Sequence, residues 1–230
     1  MSKKKKKNSN YSGKVDTKGV NIKKEAPKET FWSKYKKQII IAVCAVLLAA
    51  LVIGIVLAAI PKKSVYVEMD FGSEYGKIII EVERNQAPKT AKNFIDLVES
   101  GFYNDLTIFR AQKNFVIQGG KNDSVKLTPI EGEFESNGHK NNISHTRGVI
   151  SMARTTDPNS ATSQFFITLH DQAAYSLDGS YAGFGHVVEG MDVVDKIANA
   201  LFPKAVDSMG FVNDADAIKI VSAKVIEYNK

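Results

Sequence analysis

Hydrophobic and polar positions divide the chain at residue 39 and again at residue 60. Residues 1–30 are rich in lysine, serine and asparagine with few apolar side chains, which predicts disorder. Ile39 to Ile60 then runs for 22 residues without a charged or strongly polar side chain. As a helix rising about 1.5 Å per residue it spans roughly 33 Å, matching a bilayer core of about 30 Å. A buried soluble helix is seldom so uniform. A cleaved signal peptide has an apolar region of only about 7–15 residues and a small-residue cleavage site, and no clear one follows here. This segment therefore reads as one uncleaved signal anchor. Beyond the short linker 61–64 the pattern changes. Val65 to Phe71 alternates as a strand, Gly72 to Gly76 turns the chain, and Lys77 to Val82 runs back. Ala91, Phe94, Ile95 and Val98 follow helical spacing behind Pro88, and Gly101 ends that helix.

The same reading continues to the end of the chain. Ile108, Phe109 and Phe115 to Ile117 have strand character around a turn at Gln112-Lys113-Asn114. Lys121 to Arg147 is polar and weakly periodic, with Gly132-Glu133-Phe134 and Asn142-Ile143-Ser144-His145 as ordered loop elements. Two apolar strands, starting at Gly148 and Ser163, flank a polar loop with Asp157-Pro158-Asn159 turn chemistry. Gly183 to Val188 is another strand. Met191, Val194 and Ile197 mark a second helix, and Ala217 to Tyr228 closes the chain as a strand. Many short strands with two helices predict a mainly β fold, a closed antiparallel barrel whose open ends the helices cap. The plan is a basic disordered tail (1–38), a transmembrane segment (39–60), a linker (61–64) and one β domain (65–230).

Charge sharpens this plan. Thirteen lysines against three acids give residues 1–38 a net charge of +10. With Lys62 and Lys63 added, residues 64–230 sum to −6 of the overall +6, so the folded part is acidic. Phe31, Trp32 and Tyr35 stand before the apolar run as interfacial aromatics do. Six lysines between positions 23 and 37 precede the run, against two that closely follow it. The positive-inside rule places the N-terminus in the cytoplasm and the β domain outside. Lys3 to Lys7 come with no aromatic platform or recognition fold, so no nucleic-acid partner is predicted. Cys44 is alone, which excludes an intrachain disulfide. His139, His145, His170 and His186 lack zinc spacing, Ser151 and Ser163 lack a nucleophile-elbow setting, and Gly183-Phe184-Gly185 is too short for a dinucleotide fingerprint. No metal or cofactor is expected.

The chemistry concentrates in Phe109-Arg110-Ala111-Gln112-Lys113-Asn114-Phe115-Val116-Ile117-Gln118-Gly119-Gly120. Burying an unpaired charge is expensive, so an arginine within an apolar strand is by itself more often a paired structural residue than a catalytic one. A second segment shifts the balance: Gly148-Val149-Ile150-Ser151-Met152-Ala153-Arg154, the polar loop, then Ser163-Gln164-Phe165-Phe166-Ile167-Thr168. Together the two closely resemble the cyclophilin family of peptidyl-prolyl isomerases, and Met152 to Ile167 is most similar to its bacterial branch. The resemblance runs from about Val65 to Glu227. It implies an eight-stranded barrel with two helices, and an enzyme acting on proline-containing polypeptides without a cofactor.

The resemblance also assigns roles. Arg110 takes the catalytic place, with Gln118 orienting the guanidinium or the substrate carbonyl. Phe115, Val116, Phe166 and Leu177 match the proline-pocket positions, and Ala153, Arg154 and Gln164 match those that grip the substrate backbone. Tyr181 stands where many members carry histidine, keeping an aromatic wall. Ser176 precedes Leu177-Asp178-Gly179 where the family often has tryptophan, which implies a more open pocket and weak cyclosporin binding. The expected activity is isomerisation during folding of exported proteins, by a monomeric domain. The alternative is a tethered binding module or chaperone for proline peptides with little catalysis.

Overall fold

In the computed structural model, residues 29–228 are described; of the expected disordered tail, residues 1–28 fall outside them and residues 31–38 are helical instead. Helix α1 runs from Phe31 to Ala59. It begins before the apolar run because Thr30 caps it, the Thr30 hydroxyl oxygen accepting from the Ser33 amide at 3.2 Å. The helix is long and apolar enough to cross a membrane, and none of its described side chains is buried. Residues 61–230 form a compact unit of their own.

In that unit β1 (Val65–Asp70) and β2 (Lys77–Val82) pair antiparallel in full register, from Val65 opposite Val82 to Asp70 opposite Lys77. The expected turn between them is a single helical turn, α2 (Gly72–Tyr75), because the Asp70 carboxylate accepts from the Gly72 amide and turns the chain early. Helix α3 (Pro88–Glu99) buries Ala91, Phe94, Leu97 and Val98 against the sheet. Its N-cap, Ala87, has no side-chain acceptor. The buried carboxylate of Glu133 replaces it from 44 residues away, accepting from the Lys89 and Thr90 amides at 3.0 and 2.8 Å. Two orphan amides and the positive end of the helix dipole hold that charge in the interior.

The remaining strands are β3 (Thr107–Gln112), β4 (Val116–Gly119), β5 (Val149–Met152), β6 (Phe165–Thr168), β7 (Gly183–Glu189), β8 (Ile218–Lys219) and β9 (Ser222–Ile226). A short α4 (Ala174–Leu177) precedes β7, and α5 (Met191–Leu201) follows it. All strands belong to one sheet in the order β8-β3-β4-β6-β5-β7-β2-β1-β9, every pairing antiparallel. Nine strands rather than eight appear because the expected closing strand breaks in two. Its first part pairs with β3 and its second with β1. At the break, the Ile220 amide donates to Leu106 and the Val221 amide to Asp70. The ends of the sheet are thus two halves of one segment, and that segment closes the barrel.

Two apolar clusters result. The large one fills the barrel between sheet and helices, around Phe94, Tyr103, Phe165 and Phe184. The small one, outside it, joins Val116, Phe166, Ala173 and Leu177, with Phe115, Ala153 and Tyr181 packed against them. Six of its seven members are residues that the sequence marks for substrate binding.

Candidate active site

Strand β3 carries a bulge: its pairing with β4 shifts register between Ile108 and Arg110. Strict alternation would turn Phe109 and Arg110 to opposite faces. The inserted residue instead leaves both half-exposed between buried Ile108 and Ala111. Gln118, opposite Arg110 on β4, then reaches the guanidinium, its Oε1 accepting from an Arg110 terminal nitrogen at 2.8 Å. The other terminal nitrogen donates to Gln112 Oε1 at 2.7 Å, and Arg110 Nε donates to the Met209 carbonyl at 2.8 Å.

The Met209 carbonyl comes from a loop 99 residues away. Gly210 lets that loop lie against β3. Its φ is +83°, and a Cβ there would sit 2.1 Å from the Ala111 carbonyl oxygen, so only glycine fits. The Ala111 amide donates to Gly210 and the Val212 amide to Phe109, which fixes Phe211 with its ring 5.3 Å from the Arg110 guanidinium carbon. Three side-chain bonds and one ring therefore set the guanidinium plane. Burial pushes its pKa down, and the more distant Tyr181 and Asp207 push the other way. No carboxylate lies within ion-pair distance of it among the described residues.

The guanidinium borders a cavity of about 500 Å³, which Phe115, Val116, Gln118, Ala153, Arg154, Phe166, Leu177 and Tyr181 also line. Nine of the ten expected site residues thus share one hollow. The tenth, Gln164, lines the adjoining hollows instead. Its Oε1 accepts from Gln118 Nε2 at 3.0 Å, so it reaches the guanidinium through Gln118. Gln112, Met209 and Phe211 complete the main cavity and carry no signal in the sequence pattern. Ser176 is exposed and does not line it.

The wall is braced from behind. Phe166 meets Tyr181 edge to face at 5.5 Å and stacks on the ring of His145 at 6.0 Å. His145 is 1% exposed; its Nδ1 lies 2.8 Å from Asp178 and its Nε2 lies 3.1 Å from the Ser151 hydroxyl. A carboxylate only accepts, so Nδ1 carries the proton and Nε2 accepts from Ser151. Burial pushes the ring's pKa down, with Asp178 opposing. Burial pushes Asp178 up, but the Ser144 hydroxyl and the amide and ring of His145 outweigh it and hold the carboxyl below its usual range. Serine, histidine and aspartate here form no nucleophile, because the Ser151 hydroxyl is sealed in the interior. They tie the Leu177–Asp178 turn to β5. Arg154 crosses the mouth of the cavity, donating to the Ser180 carbonyl at 3.1 and 2.9 Å and to the Thr155 carbonyl at 2.8 Å. It stacks on Tyr181 at 4.6 Å and Phe134 at 5.1 Å.

Residues 66–225 match the family model for cyclophilin type peptidyl-prolyl cis-trans isomerases. A peptidyl-prolyl cis-trans isomerase of Acinetobacter baylyi is 39% identical over 184 residues, covering 76% of this chain and 93% of the relative. Peptidyl-prolyl cis-trans isomerase B of Escherichia coli is 40% identical over 133 residues, 55% of this chain and 81% of the relative. Among solved structures, a cyclophilin type isomerase of Cryptosporidium parvum superposes with a TM-score of 0.59 at 25% identity, covering 72% of this chain and 99% of its own. A second structure of it, in the presence of the dipeptide Ala-Pro, gives 0.58 at 26% identity, over 71% of this chain and 99% of its own. Nearly all of that neighbouring chain is thus matched by about the length of the compact unit 61–230.

Proposed function

The chain belongs to the cyclophilin-type peptidyl-prolyl cis-trans isomerase family, and from that premise we propose that the Arg110 cavity isomerises X–Pro bonds in polypeptides outside the cytoplasm. The barrier to rotation, about 18–20 kcal/mol, comes from amide resonance. Twisting the bond returns a localised lone pair to the prolyl nitrogen, and a donor aimed there favours the twisted state over either planar one. Arginine suits the task, being always charged and presenting five N–H donors in a fixed fork. Three of those donors are held by Met209, Gln118 and Gln112, which leaves one on each terminal nitrogen for a ligand. This pinned yet partly free guanidinium beside an apolar cluster is the observation that carries the reading.

In this mechanism Phe115, Val116, Phe166 and Leu177 receive the proline ring and exclude water from it. The Gln118 amide nitrogen gives one hydrogen to Gln164 and keeps a second for the substrate carbonyl. Ala153, Arg154 and Gln164 hold the peptide backbone beside them. The decisive experiment is prolyl isomerisation of a proline tetrapeptide by the fragment 61–230, followed by exchange NMR. An exchange rate no faster than that of the free peptide would end this reading.

Arg154 adds a specificity expectation. Its cation lines both the proline cavity and the adjoining hollow with Thr155 and Ser160, and its bonds there go to neutral carbonyls. Peptides with glutamate beside the proline should turn over about two- to five-fold faster than those with lysine, and salt should shrink the ratio. Equal turnover of the two at low salt would remove Arg154 from specificity.

Helix α1 supplies the location we propose, a single-pass anchor with the N-terminus in the cytoplasm. The support is its apolar length and the lysines before it. Protease added to intact cells should digest the β domain and spare the N-terminal tail. Protection of the domain would reverse the orientation.

A further inference from the structure

Beyond Gln118 the groove opens into a second hollow of about 450 Å³, lined among others by Phe109, Phe211, Val212, Lys121 and Asp214. We propose that this hollow is an aromatic subsite that receives a large apolar side chain of the substrate lying within three residues of the isomerised proline. The inference rests on the isomerase reading of the Arg110 cavity. Two features of this chain build the hollow. The β3 bulge turns Phe109 to the same side as Arg110. Gly210 then lays Phe211 over it, the rings stacked at 6.1 Å and 17°. Both rings stay half-exposed, an apolar platform at the edge of an otherwise polar groove.

The platform is continuous with the proline cavity, since Phe211 and Gln118 line both hollows. From the Arg110 guanidinium carbon the Phe211 ring is 5.3 Å away, and Phe109 another 6.1 Å. The far ring is therefore within about 11 Å of the guanidinium, the reach of about three extended residues. Lys121 pairs with Asp123 at 2.8 Å and also faces Asp214, so the polar part of the lining keeps one negative charge in excess and offers no cation to an acidic side chain, while the ring faces offer apolar contact. Aromatic side chains fit such a surface by offset or edge-to-face contact.

The test uses fragment 61–230 and alanine-based peptides with one proline, placing phenylalanine in turn at each of three positions on either side. Turnover is read by exchange NMR, which needs no coupling protease, and affinity by titration of the same peptides. One position should raise kcat/KM about three- to ten-fold through a lower KM. Phe109→Ala should erase that gain while keeping the all-alanine rate. Phe109→Thr, which retains strand propensity, should do the same. The proposal is overturned if no position gains, or if the gain survives in both variants. If no peptide turns over but the affinity gain appears and is lost in the variants, the subsite stands and the isomerase reading falls.

Discussion

Arg110→Ala should lower kcat/KM for X–Pro isomerisation by about 100- to 1000-fold, the usual loss when one preorganised donor is taken from a developing lone pair or oxyanion. The groups it leaves, Gln118 Oε1, Gln112 Oε1 and the Met209 carbonyl, border an open cavity where water can replace the guanidinium. Stability should therefore change little, and peptide affinity should fall much less than the rate. Exchange NMR on the 61–230 fragment, with urea unfolding beside it, checks each part. A variant as fast as the parent would move the chemistry off Arg110. Negligible rates for both proteins, with proline peptides still bound, would make the domain a recognition module.

The second large effect is on stability. His145→Ala should cost about 2–4 kcal/mol, because it opens a buried cavity and strips the sealed Ser151 hydroxyl of its imidazole acceptor. It also removes the ring behind Phe166, so KM should rise. A pH series gives a sharper signature. Burial lowers the folded pKa of His145, so the unfolded chain takes up the proton first as pH falls. Stability from the neutral ring is full above about pH 6.5 and is lost as pH drops through the folded value. Asp178, whose folded pKa is also lowered, contributes above the usual carboxylate range and loses its share only at more acidic pH. His145→Ala should flatten the stability curve just below pH 6.5 and shrink the acid limb without abolishing it, because the Ser144 hydroxyl and the residue 145 amide still hold the Asp178 carboxyl. An unchanged slope in that interval would show that His145 is not the titrating group.

The residues of the small apolar cluster were legible because their motifs are local. Phe115 ends the turn that leads into the short strand of Val116 and Gln118, and Ala153 to Phe166 span one loop and the start of β6. The alternation of β1 and β2 and the helical spacing of α3 likewise fix local geometry. What stayed hidden depends on pairing across distance. Met209 and Phe211 sit in an aperiodic stretch, and nothing local says that Gly210 lets it lie on β3. Glu133 reads as an acid in a polar loop until α3 presents its amides to it. The β3 bulge is one inserted residue in an apolar run, invisible to a period-two pattern. The closing strand reads as a single run because its partner changes midway while its composition does not.

That closing segment also sets the order of assembly. The first strand of the domain pairs with β9, five residues whose last member is Ile226, so the sheet stays open until that segment is available. During synthesis α1 emerges long before the strand that completes the barrel. A ribosome-bound domain would then hold its β1 edge and the Leu106 end of β3 unpaired, waiting for residues 218–226. Such a domain can be threaded through a narrow channel while still unfolded. Its barrel closes only after residues 218–226 are released.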